Sequence, residues 1–331
     1  MPVGGADRVE WDILLRILPT VVVDGFVLGF VYAMIALGYT MVYGVLQMIN
    51  FAHSEIFVMG AFVGAETLLI LQASGLLTAL HPLVLLALIL VLAMAGSGLL
   101  AVAVERVAYR PLRGAPRLIP LISAIGVSFF LQDAIRLFES LWRNAFYLTY
   151  PTIDFFDQRI PLVGEVELSV KSVLIIVASL LMLVVLTLFV NRTKLGMAIR
   201  AVAEDQPTAG LMGVNVGRII SLTFLIGGAM GGAAGALFGV QFGTINPYSG
   251  FIPGLKAFTA AVLGGIGNVP GAMVGGLVLG MLEALAASYM SLLTGGAFGA
   301  EYKDIFAFSV LIVILMFRPQ GLLGEVVREK L

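Results

Sequence analysis

The chain has 331 residues, of which 60 % are hydrophobic and only 12 % charged, and its mean hydropathy is +1.05. That balance excludes an ordinary soluble domain, where about a quarter of the residues are charged. A net charge of −1 without a long basic run gives nucleic acid no footing, and the absence of cysteine removes disulfides, thiol chemistry and cysteine-ligated metal.

The first twenty residues mix acids and bases ahead of an apolar run and lack the basic, apolar, small order of a cleaved signal peptide. The first span is therefore expected to stay as an anchor. About 20 helical residues cross the hydrocarbon of a bilayer. In chain order the candidate spans are Val21–Leu46, Ile49–Gln72, Pro82–Val104, Leu118–Phe138, Ser172–Val190, Ile219–Phe242, Ile252–Ile266, Ala272–Met290 and Ile305–Phe317. All are expected to be helices, because an open strand edge leaves backbone groups unsatisfied in lipid. Ile252–Ile266 is too short and Gly-rich for a plain crossing. The expected fold is thus an all-α polytopic bundle with eight full crossings and one short or re-entrant piece, in one membrane domain over residues 1–331.

Lys and Arg mark the cytoplasmic side of short loops. Arg106, Arg110, Arg113 and Arg117 share one loop, Arg192, Lys194, Arg200 and Arg218 another, and Arg318, Arg328 and Lys330 lie at the carboxyl end. Asp154, Asp157, Glu165 and Glu167 fall in the connection 139–171, which is expected outside. The amino terminus is then outside and the carboxyl terminus inside, provided Ile252–Ile266 also crosses. Residues 191–218 form a polar insert too long for a tight turn and patterned like a short structured element, which suits a docking surface for something soluble.

Gly227, Gly231, Gly235, Gly239 and Gly243 recur every fourth residue, and Gly267, Gly271 and Gly275 repeat the device. Small residues at this spacing let helix backbones approach closely in a membrane, within one bundle or against a second subunit. The most polar membrane segment is Met48 to Glu55. Asn50, His53 and Glu55 are costly in hydrocarbon and should face protein or water. They can cap a helix start or bond between helices, the commoner uses, line a pathway, or relay protons. A second Ile-Asn opens INPYSGFIPGLKAF at Ile245-Asn246 and matches INFAHSEIFVMGAF at its start, middle and end. With the first copy at the inner face and the second at the outer, this is the pattern of an inverted repeat.

Lys256 is a pathway candidate or a partner for a helix end or headgroup. Glu66, Asp133 and Glu283 are expected near helix ends, and Trp11, Trp142, Tyr147 and Tyr150 at the membrane interface. No phosphate-binding loop, zinc motif or activated serine is present, and His53 and His81 cannot supply a three-histidine metal site. The chain does not read as an enzyme.

Several motifs together are specific. They are GYTMVYG (Gly38–Gly44), INFAHSE (Ile49–Glu55), ERVAYRPLR (Glu105–Arg113), LISAIGVSFFLQ (Leu121–Gln132), RAVAED (Arg200–Asp205), INPYSGF (Ile245–Phe251), KAFTAAVLGGIGNVPGA (Lys256–Ala272) and EYKD (Glu301–Asp304). Nearly end to end, the chain resembles the branched-chain amino acid permeases of bacterial ATP-binding-cassette importers, of the leucine/isoleucine/valine H-protein type. It departs from that pattern at Ser54, where the family has glycine, and in the outer loop Asn144–Lys171.

The resemblance implies a translocation subunit in the bacterial inner membrane. It implies a homologous second permease, two ATP-binding subunits that carry ATP and magnesium, and an external solute-binding protein, with no cofactor on this chain. It also implies that Arg200, Glu204, Asp205 and Gly213 belong to the segment that couples to the ATP-binding subunits. A proton- or sodium-coupled carrier is the alternative class; within the importers, urea or short amides are the alternative cargo. A passive channel or scaffold gives the polar insert no purpose.

Overall fold

The structure is a computed structural model that describes residues 14–116, 118–162 and 166–324, together with the backbone of residues 11–13 and 163. Arg8, Arg117, Glu165, Arg328, Lys330 and the side chain of Trp11 lie outside the described residues.

Among the described residues, seven helices are long and apolar enough to cross a membrane. They are α1 (Trp11–Leu46), α2 (His53–Ala73), α3 (Pro82–Val104), α4 (Leu118–Trp142), α6 (Val170–Arg192), α9 (Val216–Phe242) and α11 (Val269–Leu293). The first starts before the expected Val21, because Leu14 to Leu18 continue its apolar pattern and Pro19 does not end it. A π-helical turn, Glu105–Tyr109, and a 3-10 turn, Arg110–Leu112, prolong α3.

One expected crossing needs correction. Ile305–Phe317 was expected to cross as a full helix, but α12 (Lys303–Phe317) has 15 residues, roughly 22 Å of rise. The short piece α10 (Phe251–Gly264) has 14 residues. Glycine explains why neither is longer. Gly295 and Gly296 take positive φ ahead of α12, a conformation that ends helices, and Asn246-Pro247 with Gly250 breaks the chain before α10. Thr244–Ile245 (β4) pairs with Leu148–Thr149 (β1) at one end of the bundle, whereas Gly264 and Gly265 abut Gly271 and Gly324 at the other.

The two ends differ in charge. Arg106, Arg110, Arg113, Arg192, Lys194, Arg200, Arg218 and Arg318 gather at one end, called the basic face below. The opposite face carries the β1–β4 pair, the one-turn α5 (Asp154–Asp157), and strands β2 (Arg159–Val163) and β3 (Val166–Ser169). There Arg159 pairs with Glu167 at 3.1 Å and Lys171 with Asp157 at 2.8 Å. The connection expected from residue 139 is shorter than that, since α4 runs on to Trp142 and Glu139 is a buried helical residue.

Most of the ladder glycines serve packing inside this chain, whereas Gly243 and Gly267 have open space around them and take positive φ where the chain turns. A Cβ at Gly227 would meet Val42 and the carbonyl of Gly38, one at Gly235 the backbone of Phe57 and Ala61, and one at Gly239 the ring of Tyr150. Gly228 and Gly232, one position on, meet α3 in the same way. Helix α9 is therefore the central post, held by α1, α2 and α3 at backbone distance, where dispersion between close atoms is the available glue. Gly271 and Gly275 seat α11 on the carbonyls of Gly264 and Ala260. Tyr150, expected at the interface, is instead buried and donates to the carbonyl of Ala61 at 2.5 Å.

Candidate functional site where two helix starts meet

Helix α1 ends at Leu46, and the chain turns at Gln47 with φ of 52° before climbing through Met48–Ala52 to α2. His53, the first residue of α2, has its ring 3.3 Å from where a Cβ of Gly231 would sit. Gly231 lies roughly 22 Å along α9, a helix about 40 Å long. Helix α2 therefore starts about halfway through the bundle. From the opposite end, residues 246–250 descend to the start of α10, where the Cβ position of Gly254 is 3.2 Å from the Cα of Ser54. Two helix N-termini, each preceded by Ile-Asn, meet there from opposite directions. This is the arrangement an inverted pair would give.

Neither N-terminus has a side-chain cap: Ala52 and Gly250 occupy the cap positions. The first N–H groups of both helices and the positive ends of both dipoles thus converge. Glu55, in the first turn of α2, is 0 % exposed. Its Oε1 accepts from Ser54 Oγ at 3.1 Å, Ser128 Oγ at 3.1 Å and Gln132 Nε2 at 2.8 Å. Rather than capping its own helix, this carboxylate ties α2 to α4. The serine at position 54 supplies one of its donors.

Asn50 Oδ1 accepts from Tyr109 Oη at 2.6 Å, and the π-turn Glu105–Tyr109 is what brings that phenol over the non-helical segment. In the same turn buried Glu105 pairs with Arg113 and accepts from Ser221 Oγ at 2.6 Å. His53 is 0 % exposed, packs edge-on against Tyr39 with centroids 4.6 Å apart, and fits only because positions 38 and 231 are glycine. Among the described residues neither of its ring nitrogens has a hydrogen-bond partner.

A cavity of about 280 Å³ lies at this meeting point, lined by Tyr39, Phe51, Ser54, Ser128, Phe129 and Phe258 among others. Its walls are apolar and aromatic apart from the two serines. It opens between α4 and α10, where Phe129 and Phe251 are exposed. Nearer the basic face is a more polar cavity of about 190 Å³ that includes Gln47, Tyr109, Arg113 and Gln206.

Gln206 belongs to the polar insert, which folds as two short helices, α7 (Lys194–Glu204) and α8 (Gln206–Leu211). Thr193 caps α7 through the N–H of Gly196 at 2.9 Å, and Asp205 caps α8 through the N–H of Thr208 at 3.2 Å. The Thr208 hydroxyl, with the Thr208 N–H, holds the Asp205 carboxyl below the usual carboxylate range. Gly213, at φ of 86°, makes the turn that follows α8. Arg200 bonds back to the carbonyl of Val190, while Glu204 is exposed and unpaired among the described residues. The insert grips the end of α1: Gln47 Nε2 donates to the carbonyl of Ala203 and Gln206 Nε2 to that of Val45, both at 3.4 Å. Met197, Leu211 and Met212 are left exposed.

Lys256 and Asn246 do not line the central cavity. Lys256 Nζ is 2.8 Å from Glu283 Oε1 and 2.7 Å from Asp304 Oδ1. Lys303 and Tyr32 complete this buried cluster at 2.9 and 2.7 Å from Glu283. Glu283 was expected near a helix end and lies mid-way along α11, where only such partners make a charge tolerable. Asn246 Oδ1 accepts from the N–H of Tyr248 at 2.8 Å, shaping the turn before α10. Asp133 lies within α4 and is exposed, and Glu66 pairs with Arg143. No group of His, Asp and Glu among the described residues could hold a metal ion. Sequence reading missed Ser128, Gln132 and Tyr109. The first two sit four residues apart on one face of α4, a signal the spacing carried.

The sequence model described as "branched-chain amino acid transport system / permease component" matches residues 21–315. The chain belongs to this family. It is 46 % identical over 312 residues to the high-affinity branched-chain amino acid transport system permease protein BraD of Pseudomonas aeruginosa, covering 93 % of this chain and 96 % of that protein. It is 44 % identical over 316 residues to the corresponding LivH of Escherichia coli, with the same coverage. A shorter match, 32 % over 149 residues, or 43 % of this chain and 32 % of that protein, is to LivM of the same transport system in E. coli. No solved structure matches. As a family member the chain is a multi-pass membrane permease.

Proposed function

We propose that this permease carries branched-chain amino acids inward across the bacterial inner membrane as one subunit of an ATP-driven importer. The central cavity is the observation that supports the reading best. Its aromatic and aliphatic walls suit isobutyl and sec-butyl side chains, and its few polar groups suit a substrate that must leave as readily as it enters. Two N-terminal helix ends favour the substrate carboxylate, and the serines bound to Glu55 lie beside its ammonium. The cavity opens at the surface of the chain, so a second permease subunit closes the route.

On this reading the basic face is cytoplasmic, and α7 and α8 receive the ATP-binding subunits, which hold ATP and magnesium. Exposed Met197, Leu211 and Met212 supply apolar contact and Glu204 a charge that a basic partner can meet. The insert grips Val45 and Gln47, so its movement reaches the non-helical segment Met48–Ala52 directly and opens or closes the cavity. The opposite face, with its β2–β3 pair, receives the solute-binding protein.

Glu204→Lys tests the docking surface. We expect loss of co-purifying ATP-binding subunits and of transport-coupled ATP hydrolysis, because reversal turns attraction into repulsion at close range, with normal membrane insertion. Unchanged docking and coupling would place the recognition surface elsewhere.

A further inference from the structure

A larger cavity lies away from the helix starts. It is a groove of about 580 Å³ between α2, α3 and α4, walled by Met59, Phe62, Leu100, Ile135, Phe138 and Trp142 among others, with Glu66 and Glu139 also lining it. It runs from Met59 to Ile70 along α2, about 16 Å. That length suits an alkyl chain and far exceeds an amino-acid side chain. It opens sideways to the bilayer, for Ile70, Phe138 and Trp142 are 57, 58 and 66 % exposed.

The charges at its mouth do not cancel. Glu66 is fully engaged by Arg143, which donates from Nε to Oε1 and from Nη2 to Oε2 at 2.6 Å. Glu139 is 2 % exposed, and its Oε2 has no hydrogen-bond partner among the described residues. One buried carboxylate oxygen is therefore left without a donor from the described residues, although Arg143 is close by, and leaving it unpaired is costly. Exposed Trp142 and Tyr147 mark the headgroup level at this same height.

We propose that this groove binds a phospholipid with a primary-amine headgroup, from the leaflet opposite the basic face. Its ammonium donates to Glu139, its phosphate lies near Arg143, and one acyl chain fills the apolar slot. A quaternary amine has no N–H to donate, and an anionic head meets the unpaired carboxylate unfavourably, so the site selects phosphatidylethanolamine over phosphatidylcholine and phosphatidylglycerol.

The test is native mass spectrometry of the full chain in detergent, titrated with these three lipids, for the wild type, Glu139→Gln and Ala134→Phe. Ala134 lines the slot without touching the charges, so its enlargement blocks the acyl chain. We expect phosphatidylethanolamine to bind about tenfold more tightly than the other two. Glu139→Gln should erase that preference while retaining its thermal unfolding temperature within a few degrees, and Ala134→Phe should weaken all three lipids. Equal binding of the three lipids by the wild type would overturn the proposal. So would an unchanged preference in Glu139→Gln, or displacement of the lipid by free leucine, which would make the groove an amino-acid site. If Glu139→Gln fails to fold, an unaltered preference in Ala134→Phe with undiminished binding decides against the proposal.

Discussion

Glu55 shows how one residue can set the polarity of the interior. Its Oε1 takes donors from Ser54, Ser128 and Gln132 in a site closed to solvent, while its Oε2 has no hydrogen-bond partner among the described residues. Glu55→Gln keeps the shape and loses the charge, and its amide N–H₂ can be left facing Gln132. We expect a loss of stability of about 1–3 kcal/mol and slower uptake that still depends on ATP, measured by unfolding in detergent and by vesicle uptake. Wild-type stability and transport would remove Glu55 from the account. The sequence flagged Asn50, His53 and Glu55 as residues that must face protein, because their cost in lipid is independent of the fold. It did not show that Glu55 bonds across to α4, since that depends on the depth at which α2 begins. Lys256 was flagged too, but its direction toward Glu283 and Asp304 is set by long-range packing.

Among the elements, α10 and α12 are the least self-sufficient. Each is a short helix that starts within the bundle, and the cluster of Lys256, Glu283, Lys303, Asp304 and Tyr32 pins both starts to α11 and α1. Removing one partner of a buried ion pair leaves an uncompensated charge, at a cost of about 3–5 kcal/mol. Lys256→Met should therefore destabilise the protein by that order. Adding Glu283→Gln should restore part of the loss, because one cation, Lys303, then faces one carboxylate, Asp304, and the cluster's excess negative charge is gone. Thermal unfolding of the single and double variants in detergent measures this, and a double variant no more stable than the single would refute the clamp. Hydropathy located both helices well but gave α12 a full crossing, because apolar composition reports burial and does not report where a chain becomes helical. The insert was more legible. Thr193, Asp205 and Asn215 are capping residues at the starts of α7, α8 and α9, and their side chains do cap.

At the scale of the molecule, the proposed function joins charge asymmetry and the converging helix starts in one device: a basic face that would receive force and a central cavity that would respond to it. The expected orientation rests on Lys and Arg placement. In a chain with no native cysteine, single cysteines at Arg113 and Gly213 should be labelled from the cytoplasm only, and one at Gln158 from outside only. Labelling of position 213 from outside would invert the topology. The central claim is that ATP hydrolysis on partner subunits drives branched-chain amino acids through this permease. The direct measurement is leucine uptake into vesicles holding the permease, its co-purified subunits and the solute-binding protein. Uptake is compared with ATP supplied on the side of the basic face, and with an imposed proton gradient and no ATP. The account predicts uptake with ATP and none with the gradient alone; uptake that follows the gradient in the absence of ATP would contradict it.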